Sequence, residues 1–230
     1  MSDRPTLSVG AAPDDDLRAR VMAAVQAEPI GPRAAGVRKR ARLIVAASLF
    51  SVVLSIAIGR PGLRGRPLAF VASLGLVWTV IGAVATWVGV MRGRSMLGRS
   101  TGWRMATAIG TPVSLLGASV VLGYAWPSTL VDKAGSFAHL SCLVGTTAFA
   151  LAPFAAFMAM RRASEPVAPR LSGAAIAASA GAWGALGIEL HCRYTSSLHV
   201  VIGHVLPVAF LVILGATLGG WVLGIRSENG

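Results

Sequence analysis

Charged side chains in this chain are confined to short clusters, and between them lie six uncharged, mainly apolar runs: residues 43–59, 67–91, 105–131, 134–160, 171–188 and 194–225. A helix needs about 20 such residues to cross a bilayer, with a range of roughly 17–25. The second, third, fourth and sixth runs are ample by that measure, and the first and fifth just suffice. Backbone inside lipid must satisfy its own hydrogen bonds, so runs of this length span as helices. The pattern predicts an all-α polytopic membrane protein with six transmembrane helices, at about 43–59, 68–91, 105–126, 138–160, 171–190 and 199–223. Composition agrees: 54% of residues are hydrophobic, 13% are charged and the mean hydropathy is +0.68, whereas soluble domains carry roughly 25% charged residues. A water-soluble domain and a disordered nucleic-acid-binding tail are both excluded. What stays in water is small, namely residues 1–42, the loops and a tail at 226–230.

The fifth run is rich in Ala and Gly (Ala174, Ala175, Ala177, Ala178, Gly181, Gly184, Gly187). Such a surface is weakly hydrophobic for a helix facing lipid, but small residues let backbones approach closely, so this span is expected inside the bundle. Gly75, Gly82 and Gly89 recur every seven residues in the second span, Gly110 and Gly117 do so in the third, and Gly215 and Gly219 form a GxxxG in the sixth. All read as packing seams. Pro153 and Pro207 lie within the fourth and sixth spans, where neighbours can satisfy a freed carbonyl, and no acid or base is evident beside them.

Lys and Arg accumulate in cytoplasmic loops near span ends, and their distribution here is lopsided. With six spans, one side carries sixteen: Arg4, Arg18, Arg20, Arg33, Arg38, Lys39, Arg40, Arg42, Arg92, Arg94, Arg99, Arg104, Arg161, Arg162, Arg170 and Arg226. The other carries five: Arg60, Arg64, Arg66, Lys133 and Arg193. Both termini are therefore expected in the cytoplasm. The net charge of +12 is a topology signal, with no direct nucleic-acid partner implied. The basic run at 38–42 reads as an anchor against anionic headgroups of the lipid bilayer.

Two regions go beyond topology. All four histidines and both cysteines fall between residues 139 and 204: His139, Cys142, His191, Cys192, His199 and His204. On the expected topology they form one layer at the outer face, with Glu189 next to them. His139 and Cys142 share a helix face. Three readings stay open. The histidines can bond loop carbonyls while the cysteines pack as small hydrophobes. A Cys142–Cys192 disulfide suits an oxidising compartment. A soft metal ion suits imidazole and thiolate ligands, with His139, His191, His199 and His204 as the candidate nitrogens, although no C-x-x-C or H-E-x-x-H spacing is present.

The second region is the N-terminus, where Asp14, Asp15 and Asp16 precede a short helical pattern that Pro29 closes. Acids at the start suit the helix dipole and an Asp serves as N-cap; proline pushes the residue before it out of helical geometry. A helix over 14–28 places Leu17, Val21, Ala24 and Val25 on one apolar face, flanked by Arg18 and Arg20. Isolated helices under about 12–15 residues are marginal in water, so the segment requires a surface to bind: either the membrane or a protein groove that takes an amphipathic helix. No P-loop, G-x-S-x-G, metalloprotease helix or intramembrane Asp pair is present, and the chain is not expected to be an enzyme.

In the last ninety residues, His139-x-x-Cys142, Pro153, Arg161-Arg162, Pro169, Leu190-His191-Cys192, His199, His204, Pro207 and Gly215-Ala216 with Gly219 resemble, in order and spacing, the NrsF-type membrane anti-sigma factors. CarR-like regulators share the architecture. The first three spans match in topology, and the N-terminal helix in position and length. The resemblance implies a bacterial inner-membrane protein that sequesters an extracytoplasmic-function (ECF) sigma factor through its N-terminal segment. It further implies that Cys142 and Cys192 belong to the sensing half, which responds to an envelope or stress signal. Leu17, Arg18, Arg20, Val21, Ala24 and Val25 would then be the partner-binding residues, with no cofactor beyond a soft metal ion at the outer cluster. The alternative is a small metal or solute transporter, or a metal-binding membrane protein, that uses the same His/Cys layer for loading.

Overall fold

A computed structural model describes residues 31–59, 67–91, 100–125, 135–162, 164, 167–192, 194 and 196–224, together with Ala19 and Ala23. The chain divides into two compact units, residues 1–41 and 42–230. In the first, Ala19 and Ala23 are helical and exposed. Leu17, Arg18, Arg20, Val21, Ala24 and Val25, the apolar face and flanking arginines expected of a helix over 14–28, lie outside the described residues.

Among the described residues six helices are long and apolar enough to cross a membrane: α1 (Gly31–Ile58), α2 (Leu68–Gly89), α3 (Thr101–Ala125), α4 (Ser136–Met160), α5 (Pro169–Glu189) and α6 (Ser197–Val222). No strand occurs among the described residues. The protein is an all-α membrane protein. Two helices begin earlier than charge alone suggests. α1 extends back through the basic run at 38–42, since Arg and Lys are good helix formers. α3 starts at Thr101 and includes Arg104, which is buried because its Nη1 donates to Ser172 Oγ at 2.8 Å.

The centre of the bundle is α5, which packs against α2, α3, α4 and α6. Every residue from Ser172 to Glu189 is buried. Close approach is what the Ala/Gly composition supplies. A Cβ at Gly184 would lie 2.7 Å from both Ala150 Cβ and Thr146 O, and one at Gly219 would lie 2.9 Å from Gly173 Cα. Gly89 of α2 faces the backbone of Ala175 in the same way, and Gly82 receives the Trp183 ring. The expectation of a seam fails at Gly75, Gly110 and Gly117, where nothing lies within 4 Å of an added Cβ. A seven-residue recurrence drifts around an α-helix by about 20° per repeat, and these three glycines do not point at a neighbour.

Polar side chains tie the layers together. Thr86 Oγ1 sits 2.6 Å from Ser179 Oγ and accepts from Trp183 Nε1 at 2.9 Å. Proline removes a backbone donor and frees the carbonyl four residues earlier. The carbonyl freed by Pro207 is Gly203, and it accepts from Thr146 Oγ1 at 2.8 Å. The one freed by Pro153 is Phe149, and it accepts from Ser51 Oγ at 2.7 Å.

Candidate functional site: a buried thiol and imidazole cluster

The start of α4, the end of α5 and the start of α6 meet at one end of the bundle, because three successive antiparallel helices place those termini together. His139 and Cys142 lie in the first two turns of α4, Glu189 closes α5, Cys192 sits in the connection, and His199 and His204 lie on α6. The connection is short and tight: the N–H groups of His191 and Cys192 both bond Ile188 O, at 2.9 and 2.8 Å.

The sixth helix is not uniform. Residues Val201–Val205 form a π-helical turn, with i→i+5 bonding closed by the Leu206 N–H on Val201 O. In an α-helix each residue turns about 100°, so positions five apart would face directions about 140° apart. The wider turn brings His199 and His204 to one side, with ring centroids 5.6 Å apart. Gly203, inside that turn, allows α6 to close on α4, since a Cβ there would lie 2.9 Å from Cys142 Cβ.

The two thiols are buried and not joined as a disulfide, with sulfurs 3.7 Å apart. Cys192 Sγ is 3.1 Å from His199 Nε2 and 3.5 Å from Tyr194 O. The chain of contacts continues through His199 Nδ1 to His139 Nδ1 at 3.1 Å, where one ring must donate and the other accept. Beside it, His204 Nδ1 pairs with Glu189 Oε2 at 3.0 Å, both fully enclosed, and the edge of the Trp78 ring stands against His204. A hydrogen bond with Cys142, reinforced by burial, pushes the Cys192 thiol up to about 11. The thiolate is the reactive form, so at neutral pH this thiol is held in its inert, protonated state.

Cys142, Cys192, His199 and His204 each place a ligating atom within 4.8 Å of the others. His139 is one hydrogen bond further out. His191 is not brought in: its ring packs beside Phe149, at a centroid distance of 6.1 Å, and its buried Nε2 has no hydrogen-bond partner among the described residues. A cavity of about 340 Å³, lined in part by Cys142, Cys192, His191 and Tyr194, opens beside the thiols. Glu189 as the partner of His204 was not evident from adjacency in sequence, and the pair puts a base three residues before Pro207, with an acid bonded to it, where neither was expected. Its signal is a lone acid at the end of an otherwise uncharged run.

The family described as negative regulator of sigma F, NrsF, matches residues 24–224. The chain belongs to the NrsF family. No curated protein and no solved structure matches it. An NrsF protein is by that description a negative regulator of a sigma factor, a regulatory role carried here by a multi-pass bundle of six membrane-spanning helices. The NrsF match takes in all of the thiol and imidazole cluster. Ala24 and Val25 fall within it, while Leu17, Arg18, Arg20 and Val21 precede it.

Proposed function

We propose that this NrsF protein is an anti-sigma factor of the bacterial cytoplasmic membrane that holds an ECF sigma factor through residues 14–28 and releases it when a signal reaches the His/Cys cluster. The observation that carries this reading is the family match over 24–224, joined to a buried cluster of thiols and imidazoles at one end of the bundle. Both termini lie in the cytoplasm, on the sixteen-to-five partition of Lys and Arg. Phosphatase fusions at Lys133 are then active and those at Ser164 inactive; the reverse pattern inverts the topology.

Leu17, Val21, Ala24 and Val25 form the apolar contacts, and Arg18 and Arg20 meet acidic groups on the sigma factor. Burying two or three such side chains contributes about 1.5–3 kcal/mol each, enough for a helix in a groove. Leu17→Asp or Val21→Asp in the full chain should therefore switch on the sigma-dependent promoter without lowering membrane levels of the protein. If both variants still repress, and the full chain captures no sigma factor from detergent extracts, the reading is wrong. A transporter makes the opposite prediction, since deleting 14–28 would leave its activity intact.

One geometric fact favours a second reading of the cluster as a soft-metal site. Two thiolates on a tetrahedral zinc, at about 2.3 Å each, stand about 3.8 Å apart, and the sulfurs here are 3.7 Å apart. With His199 and His204 the set is S₂N₂, which suits zinc and related ions. Glu189 would orient His204 from behind, as carboxylates commonly do for ligating imidazoles. Equilibrium dialysis of zinc against the full chain and against Cys142→Ser/Cys192→Ser separates this from a purely thiol-based signal.

A further inference from the structure

One face of α1 is polar. Ser48, Ser51 and Ser55 are buried on it together with Ile44, at spacings of four, three and four that keep one side of a helix. Two of the three hydroxyls donate to carbonyls of other helices: Ser51 Oγ to Phe149 O of α4 and Ser55 Oγ to Gly187 O of α5, each at 2.7 Å. Both acceptors are carbonyls that their own helices leave open. Phe149 lies four residues before Pro153, which has no N–H to offer. Gly187 lies in the last turn of α5, where carbonyls lack helical donors, and the N–H of His191 that would continue the helix bonds Ile188 instead.

The fit at this contact is tight. A Cβ at Gly187 would lie 3.0 Å from Ser51 O and from Phe149 Cδ1. One residue beyond Gly187 is Ile188, whose carbonyl holds Cys192 through the backbone. Ile58, the last residue of α1, lines the cavity that also contains Cys142 and Cys192. At its other end α1 runs without a break to Gly31, close in sequence to the N-terminal segment. α1 is thus hydrogen-bonded to the very turn that carries the thiol.

We propose that Ser51 and Ser55 are positioning residues that couple the thiol and imidazole cluster to α1: a bridge between Cys142 and Cys192 that changes the 3.7 Å spacing of their sulfurs reshapes the turn from Gly187 to Cys192, and α1 leaves its two carbonyls. The competition is local. If the turn rewinds, the N–H of His191 regains its helical acceptor, Gly187 O, and displaces the hydroxyl of Ser55. The freed α1 then changes the presentation of the segment ahead of it. This coupling rests on the reading of the cluster as the point where the signal enters, but its test requires no sigma factor.

The test uses the full chain in lipid nanodiscs, with mercuric chloride as a probe that bridges two thiols, and follows tryptic cleavage in the basic run at 38–42. Cleavage reports local opening of the helix. In the wild type, one equivalent of mercuric ion should raise the rate roughly threefold or more, the factor that corresponds to losing one interhelical hydrogen bond of average strength. In Ser51→Ala/Ser55→Ala the rate should be raised at the outset and mercuric ion should add nothing. Gly187→Ala, which keeps both hydroxyls but pushes the helices apart, should behave like the double variant, and it carries the test if the double variant loses its helical circular dichroism. Cys142→Ser/Cys192→Ser should stay slow with or without the probe. A wild-type rate that mercuric ion does not change, or a double variant that still responds as the wild type does, overturns the coupling. Loss of sigma binding by residues 14–28 would leave these rates untouched, so failure of the two readings is distinguishable.

Discussion

α5 and α1 come from the two shortest uncharged runs of the sequence, yet they sit in opposite environments. α5 has 89% of its most apolar window buried, and α1 has 22%. In α5 small residues cover the whole circumference, so its neighbours approach it closely and backbone packing replaces contact with lipid. In α1 small polar residues are restricted to one stripe, while Val45, Val53 and Ile58 stay exposed on the others. The two spans are therefore held in two ways: α5 by a full shell of protein, and α1 by a few hydroxyls aimed at carbonyls that their own helices leave open. The first makes a rigid axis. The second makes a contact that can be exchanged.

Substitutions in α5 should break this comparison most severely. Gly184→Leu puts a branched side chain where a Cβ alone already lies 2.7 Å from Ala150 Cβ and Thr146 O, and overpacking against backbone has no cheap relief. The expected outcome is loss of folded protein from the membrane, read by size-exclusion profile and membrane abundance. Next in size is Glu189→Ala at the end of the same helix, which leaves His204 enclosed without its partner. Breaking a buried pair costs about 3–5 kcal/mol, and a denaturation midpoint in mixed micelles should fall accordingly. If it barely moves, the pair is not holding the α5–α6 end together.

The α1 stripe should respond more gently. Hydrogen bonds between membrane helices are worth on average about 0.6 kcal/mol, with a maximum near 1.7, so Ser51→Ala and Ser55→Ala should each lower stability by roughly that amount and add when combined. A loss as large as that of Gly184→Leu would mean that α1 is as integral as α5 and erase the contrast. The smallest effect belongs to the exposed side of α1. Val53 is 61% exposed, and Val53→Leu should change stability by no more than about 0.5 kcal/mol while leaving promoter repression as it was.

The contrast also explains which features could be read from residue order. The Ala/Gly content of α5 predicts an interior position, because a helix with so little apolar surface gains little from lipid. The stripe Ser48, Ser51, Ser55 has a legible spacing, but its acceptors are identified only by combining it with Pro153 and with the broken end of α5. Gly75, Gly110 and Gly117 carry the same sequence signal as Gly82 and Gly89 and have no neighbour. Recurrence says that backbones can approach, and the rotation of each helix decides whether they do.

Residue order by itself determined the six spans, the absence of strands from the span pattern and the clustering of His and Cys near one end, because charge and hydrophobic length are local properties priced by the bilayer. Tertiary structure alone decided which members of that cluster meet. A π-helical turn rotates His204 toward His199, the tight bend after Ile188 swings Cys192 in and leaves His191 against Phe149, and Gly203 lets Cys142 close the set. The α-helical period assigns His199 and His204 to different faces, and only the insertion of one residue into a turn, favoured where Pro207 has already removed a backbone donor, places them together.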